Sequence, residues 1–190
     1  MNATHGFIRT WSGRKIDPTF PRPDDIDLYD MAHGLAYQPR WGGQGDFGKR
    51  WYSIAEHSVL VAREVLLRTK SRAIAFEGLL HDAPEAYILD VPRPIKRRLG
   101  APYAEMEHNF GLAIGNRFKC QVHLMHPAVK VVDDQILHNE ANAFMGPAQA
   151  ADPDWELGRS PIQGLELEFL SPENAMLFFL DAFSRLKPLE

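Results

Sequence analysis

Along the middle of the chain, apolar residues recur with the period of a helix rather than that of a strand. From about Trp51 to Arg68, Ile54, Val61 and Val65 share one face, and His57 falls between them at helical spacing. That histidine is predicted to point inward. A second helix is predicted from Ser71 to Asp82, where Pro84 forces a break or a new first turn. Pro102 to Phe118 and Pro127 to Met145 read as two longer helices, the second opening on a proline suited to the first helical position. Ser171-Pro172-Glu173 starts a final helix whose apolar stripe is Ala175, Phe178, Phe179, Ala182, Phe183 and Leu186.

Glycine and proline punctuate the remainder. The first fifty residues are rich in Gly, Pro and aromatics, which predicts an irregular entry segment wrapped on a helical body. Within it a short helix is predicted to start near Asp24 and to carry Ile26, Tyr29, Met31 and His33, its acidic start suiting the positive end of the helix dipole. Asp90 to Arg98 reads as a proline-stiffened loop leading into a basic turn or short helix. Gly146 to Gly164 reads as a loop.

At 190 residues the chain has the length of one domain, 1–190, able to bury roughly 70% of the surface exposed when unfolded. Cys120 is its single cysteine, which excludes an intrachain disulfide framework and points to a reducing compartment, the cytoplasm. Twenty-one Lys and Arg against 25 Asp and Glu leave a charge of -4, so neither nucleic acid nor an anionic membrane is an expected partner. An anionic ligand then needs a local basic site. No apolar run reaches the ~18 residues of a membrane span, and a soluble protein is expected.

Three places bring histidine and carboxylate onto inward faces. His57 lies on an apolar helix face, His81-Asp82 ends the next helix, and Asp133 has Val129, Ile136, Leu137 and Glu140 as helical neighbours. Asp134 faces a more mixed surface, so Asp133 is the better candidate for burial, where a carboxylate needs a partner. Taken singly, each reads as a satisfied core histidine or a capping aspartate. Two imidazoles and two carboxylates converging from three helices would instead supply mixed N/O ligands for a divalent transition metal, with positions left for water and a phosphoryl oxygen.

The order His57, His81-Asp82, Asp133 resembles the H...HD...D pattern of the HD-domain metal-dependent phosphohydrolases. The surrounding words match as well: Tyr52-Ser53-Ile54-Ala55-Glu56-His57-Ser58-Val59, Leu80-His81-Asp82-Ala83-Pro84-Glu85-Ala86 and Asp90-Val91-Pro92-Arg93-Pro94-Ile95-Lys96. They are similar to the branch that holds bacterial deoxyribonucleoside 5'-monophosphatases and phage dATP triphosphohydrolases, over about residues 8 to 186. The resemblance implies an all-α helical bundle with the irregular N-terminal segment attached.

It further implies that His57, His81, Asp82 and Asp133 are metal ligands, for cobalt, manganese or zinc, with magnesium accompanying a triphosphate. Glu85 matches the catalytic carboxylate. Asp90 matches an aspartate that helps hold the hydrolytic water, and it equally suits capping the next turn. Lys96 matches the position that reaches the phosphate chain. Arg40-Trp41 resembles the pair lining the nucleotide pocket, although a plain core role suits Trp41 too, and Pro94 and Ile95 are placed to narrow the base pocket. Arg93, Arg97 and Arg98 read as solvated, and His108, His123, His126 and His138 as surface or packing residues. His33 either borders the pocket or caps its own helix. The loop Gln44 to Arg50 departs from the common pattern, and Trp11-Ser12-Gly13-Arg14 reads as an oligomer contact.

The expected activity is hydrolysis of a deoxyribonucleotide, foremost dATP to deoxyadenosine and triphosphate, by a homo-oligomer, dimer or hexamer. A 5'-deoxyribonucleotidase acting on dNMPs is the neighbouring alternative. A catalytically silent nucleotide-binding module is the alternative of another class.

Overall fold

The computed structural model describes residues 6–45, 50–155 and 157–188. Residues 46–49 of the loop Gln44 to Arg50 lie outside them. The chain enters through two short antiparallel strands, β1 (Ile8–Arg9) and β2 (Lys15–Ile16), with Ile8 opposite Ile16. The remaining regular structure is helical, so the fold class is all-α.

Local chemistry sets where the helices begin. Asp27 accepts the backbone N–H groups of Tyr29 and Asp30 and opens α1 (Leu28–Ala36). The helix expected near Asp24 therefore starts later, behind a 3-10 turn over Pro23–Asp25. Ser53 caps α2 (Ile54–Thr69) and Ser71 caps α3 (Arg72–Leu80), each accepting the N–H three residues on. Because Ser53 is the cap, Trp51 lies before the helix, its Nε1 donating to the Ala36 carbonyl at 3.0 Å.

Downstream of His81, the chain turns through Pro84 into the short α4 (Glu85–Ile88). The proline-rich stretch resolves into α5 (Arg93–Leu99), followed by α6 (Ala101–Phe118) and α7 (Pro127–Phe144). Part of the predicted loop after Gly146 is helical, as α8 (Pro147–Ala150). Ser171 accepts from Asn174 and opens α9 (Pro172–Leu186), whose Ala175, Phe179, Phe183 and Leu186 are buried.

The N-terminal half of α2 is buried on every side, from Ile54 through Ala62, and the helix packs against α3, α7 and α9. Phe183 closes that core by meeting Phe76 and Phe118 edge to face. Glu56, also within α2, accepts three consecutive N–H groups, from Glu168, Phe169 and Leu170 at 2.7, 2.9 and 2.9 Å. This carboxylate straps the segment before α9 onto the helix that carries His57.

At Gly34, α1 crosses α4 so closely that a Cβ would stand 2.7 Å from the Ala86 carbonyl oxygen. Gln38 Nε2 adds hydrogen bonds to the carbonyls of Gly34 and Glu85, both at 2.9 Å, which fixes the backbone of Glu85. His33 neither caps α1 through its ring nor reaches the large cavity: the ring is stacked between Trp11 and Tyr37, at 4.9 and 4.2 Å. No helix among the described residues is long and apolar enough to cross a membrane.

Candidate metal centre

Three helical segments bring His57, His81, Asp82 and Asp133 together. His57 Nε2 lies 3.4 Å from His81 Nε2, 3.5 Å from Asp82 Oδ2 and 3.4 Å from Asp133 Oδ1. His81 Nε2 lies 3.2 Å from Asp82 Oδ2 and 3.8 Å from Asp133 Oδ1. One ligand atom each from His57, His81 and Asp82 falls within 4.8 Å of the others, a group that can hold a metal ion.

The far edges of both imidazoles decide what the near edges present. His81 Nδ1 sits 2.7 Å from the Gly78 carbonyl, which only accepts, so Nδ1 carries the hydrogen. His57 Nδ1 sits 2.6 Å from Glu140 Oε1 and is held in the same tautomer, because Arg40 and His57 outweigh burial and keep the Glu140 carboxyl below its ordinary value. Each neutral ring then directs an Nε2 lone pair at carboxylate oxygens and at the other ring. Such an array repels itself unless a cation lies within it. In the protein alone, protons take that part: burial pushes His81 down, but Asp82 and Asp133 outweigh it and raise it to about 10. Burial likewise pushes both aspartates up, and the histidines more than reverse this. The donor set fits a first-row divalent ion.

Beside the cluster stands Glu85, itself buried. Its Oε1 accepts from Lys96 Nζ at 3.0 Å, while Oε2 is sealed from solvent with no partner. Burial, then the charges of Asp82 and Asp90, raise this carboxyl well above its ordinary value against the pull of Lys96 and Arg40. Lys96 also donates to Glu107 at 2.9 Å.

A cavity of about 680 Å³ opens on this group and is walled by most of the residues the sequence singled out. Trp41, Asp90, Pro94 and Lys96 line it, together with Arg40. Trp41 is there because it and Gly42 adopt left-handed conformations, φ 61° and 56°, which turn the indole inward against Trp155. Ile95 does not narrow the pocket; it is exposed on the outer side of α5. The guanidinium of Arg40 is turned to Asp82 (3.2 Å) and Glu140 (3.3 Å). Arg93 is not simply solvated: it pairs with Asp134 at 2.9 Å and lines the cavity, as does Arg97.

His108 and His123, read as surface and packing residues, are an exposed residue and one packed on α6 respectively, and both also line this cavity. His126 caps α7 by accepting from Ala128, and His138 meets the Arg159 carbonyl, both structural contacts. Glu140 went unassigned in the sequence. It is fully buried and accepts from Tyr52 (2.9 Å) and Trp41 Nε1 (3.0 Å) besides His57 and Arg40. Its one signal is position: two turns after Asp133 on the same face of α7. Glu107 carried no signal.

No family model matches the chain. It is 34% identical over 183 residues to the uncharacterized protein RCAP_rcc00048 of Rhodobacter capsulatus, an alignment spanning 90% of each. It is 36% identical over 112 residues to the uncharacterized protein YfdR of Escherichia coli, spanning 59% of this chain and 58% of that protein.

Proposed function

The chain belongs to the same family as the Rhodobacter capsulatus protein, and from its site we propose that it is a metal-dependent phosphohydrolase acting on deoxyribonucleotides. The observation that carries this reading is the meeting of a His57-His81-Asp82 donor set with a buried, unpartnered Glu85 oxygen at one cavity, which His81, Asp82 and Glu85 line. Asp133 is the fourth ligand in this proposal, through its approach to both imidazoles. The ion is cobalt, manganese or zinc, and when bound it supplies a water of lowered pKa and polarises the phosphoryl oxygen.

The protein's own residues do the rest. Lys96 occupies Glu85 Oε1, which leaves the unpartnered Oε2 as the atom that, once a small rotation of the carboxyl brings it to the attacking water, takes its proton and returns it to the leaving oxygen. Asp90, near enough to raise Glu85, orients that water. Trp41 offers the nucleoside an aromatic face, and Lys96 exchanges a carboxylate for a phosphate oxygen when the nucleotide enters. Arg40 acts from behind, neutralising Asp82 and Glu140. Pro94 limits the width of the base site.

The preferred substrate is dATP, hydrolysed to deoxyadenosine and triphosphate. A dNMP phosphatase is the second reading, and one observation favours it: Arg40, Arg93, Lys96 and Lys130 already pair with carboxylates. Phosphate and triphosphate release, measured over a panel of dNMPs and dNTPs with each metal, tests both. Glu85→Ala is expected to keep metal and nucleotide binding and to lose at least about 100-fold in turnover. Absence of turnover by the metal-loaded native chain on every nucleotide would refute the enzyme and leave a binding module.

A further inference from the structure

The residues lining the cavity fall into two sets, an aromatic arm and a histidine arm, reached from the cluster through different contacts. Glu140 and Arg40 lead to Trp41 and Trp155, the aromatic arm. Glu85, Lys96 and Glu107 lead in turn to His108, the residue after Glu107 on α6, and to His123, whose ring meets that of His108 edge to face at 5.9 Å. Two glycines make this second arm. A Cβ on Gly111 would stand 3.2 Å from the His123 Cβ, and one on Gly115 only 2.6 Å from the Cys120 carbonyl oxygen. Only bare backbone on this face of α6 lets the Cys120–Leu124 turn lie so close.

The charges divide unequally between the arms. The lysines and arginines lining the cavity among the described residues are Arg40, Arg93, Lys96, Arg97 and Lys130. All but Arg40 come from α5, which packs on α6, and from the first turn of α7. His123 adds a hydrogen-bond donor. Its Nδ1 is sealed from solvent without a partner, and a buried imidazole nitrogen in that position is better left as a bare lone pair than as an N–H with no acceptor. With Nδ1 left as a lone pair, Nε2 is the N–H that the ring has to offer as a donor.

The geometry points to the histidine arm as the seat of the β- and γ-phosphates, which stay on the attacked phosphorus while the nucleoside 5'-oxygen leaves, with His123 and His108 as specificity-determining residues for nucleoside triphosphates over monophosphates. The inference rests on the phosphohydrolase reading above. Attack at the α-phosphorus, with the nucleoside in the aromatic arm, directs the β- and γ-phosphates away from it, into a space bearing cations and N–H donors. A monophosphate has nothing to place there. The existing pairs of Lys96 with Glu107, Arg93 with Asp134 and Lys130 with Asp134 do not block the arm. The Arg93 and Lys130 side chains are 47% and 44% exposed, and ion pairs so open to water exchange partners at little cost, while Lys96 keeps the buried Glu85 and can release Glu107, itself 40% exposed.

The test is isothermal titration of inorganic tripolyphosphate, and separately orthophosphate, into the metal-loaded protein, with magnesium in excess so that the polyanion does not strip the site. Tripolyphosphate is expected to bind at least about tenfold tighter than orthophosphate. His123→Leu should lose about tenfold for tripolyphosphate and less than about twofold for orthophosphate, as removal of a hydrogen bond to a charged group predicts. His123→Gln keeps a side-chain N–H donor and should recover most of the loss. His108→Ala, at an exposed position, repeats the test without burdening the fold. Equal affinity for the two anions, or a loss shared equally between them, would overturn the inference. Nucleotide hydrolysis without preferential tripolyphosphate binding would sink the arm alone. Preferential tripolyphosphate binding that His123→Leu abolishes, with no nucleotide hydrolysed, would uphold the arm and sink the hydrolase.

Discussion

Replacing Glu140 with glutamine keeps the size of the side chain and removes its charge. In the protein that carboxylate is fully buried and accepts from His57 Nδ1 at 2.6 Å, Tyr52 at 2.9 Å, Trp41 at 3.0 Å and Arg40 at 3.3 Å. A glutamine oxygen can serve the His57 and Tyr52 side, but its amide then turns donor hydrogens toward the donors of Trp41 and Arg40. Arg40 is left buried with Asp82 as its hydrogen-bonded carboxylate. Loss of one member of a buried ion pair costs about 3–5 kcal/mol, and the four contacts are not summed because they share one group. His57 also loses the charge that fixes its tautomer, for which outer partners of metal-bound histidines give about 10–100-fold in metal affinity. Urea unfolding of the metal-free protein and calorimetric titration with Mn²⁺ read the two effects separately. A variant within about 0.5 kcal/mol and twofold of the native protein would refute the reasoning.

Gly34→Ala places a Cβ 2.7 Å from the Ala86 carbonyl oxygen, so α1 and α4 must part; about 1–3 kcal/mol of stability is expected to go, with kcat falling more than KM as Glu85 shifts. Glu56→Gln leaves the N–H groups of Glu168, Phe169 and Leu170 sharing one carbonyl oxygen in place of a carboxylate, and a loss of about 2–3 kcal/mol in urea unfolding is expected, with faster amide exchange at those three positions. Burial, with a smaller push from Glu77, raises the Cys120 thiol to about 11. Its thiolate fraction at pH 8 is therefore about 0.1%, and modification by a disulfide reagent should be slow there and rise about tenfold per pH unit up to that value; a plateau near pH 9 would contradict it.

The helices were legible because their signals are local: serines that cap, prolines that open a first turn, and an apolar period that carried His57 inward. The four residues of the cluster were legible for a related reason, each lying on or at the end of a helix face beside apolar neighbours. Glu140 was not, since its meaning comes from Arg40, Tyr52 and His57, 100, 88 and 83 residues away in the chain. Arg93 and Lys96 displayed their charge in the sequence but not their partners Asp134 and Glu107, which other helices supply. His108 and His123 became a pair only through the close approach that Gly111 and Gly115 allow, a matter of two missing methyl groups on the helix that carries His108.

The account depends most on His57, His81 and Asp82 gathering around a divalent ion. Protein stripped by chelation and titrated with Mn²⁺ in a calorimeter is the direct measurement. One ion per chain is expected, with binding lost in His81→Ala and in Asp82→Ala and retained in Glu85→Ala. No stoichiometric binding, or binding undiminished when either ligand is removed, would contradict the account.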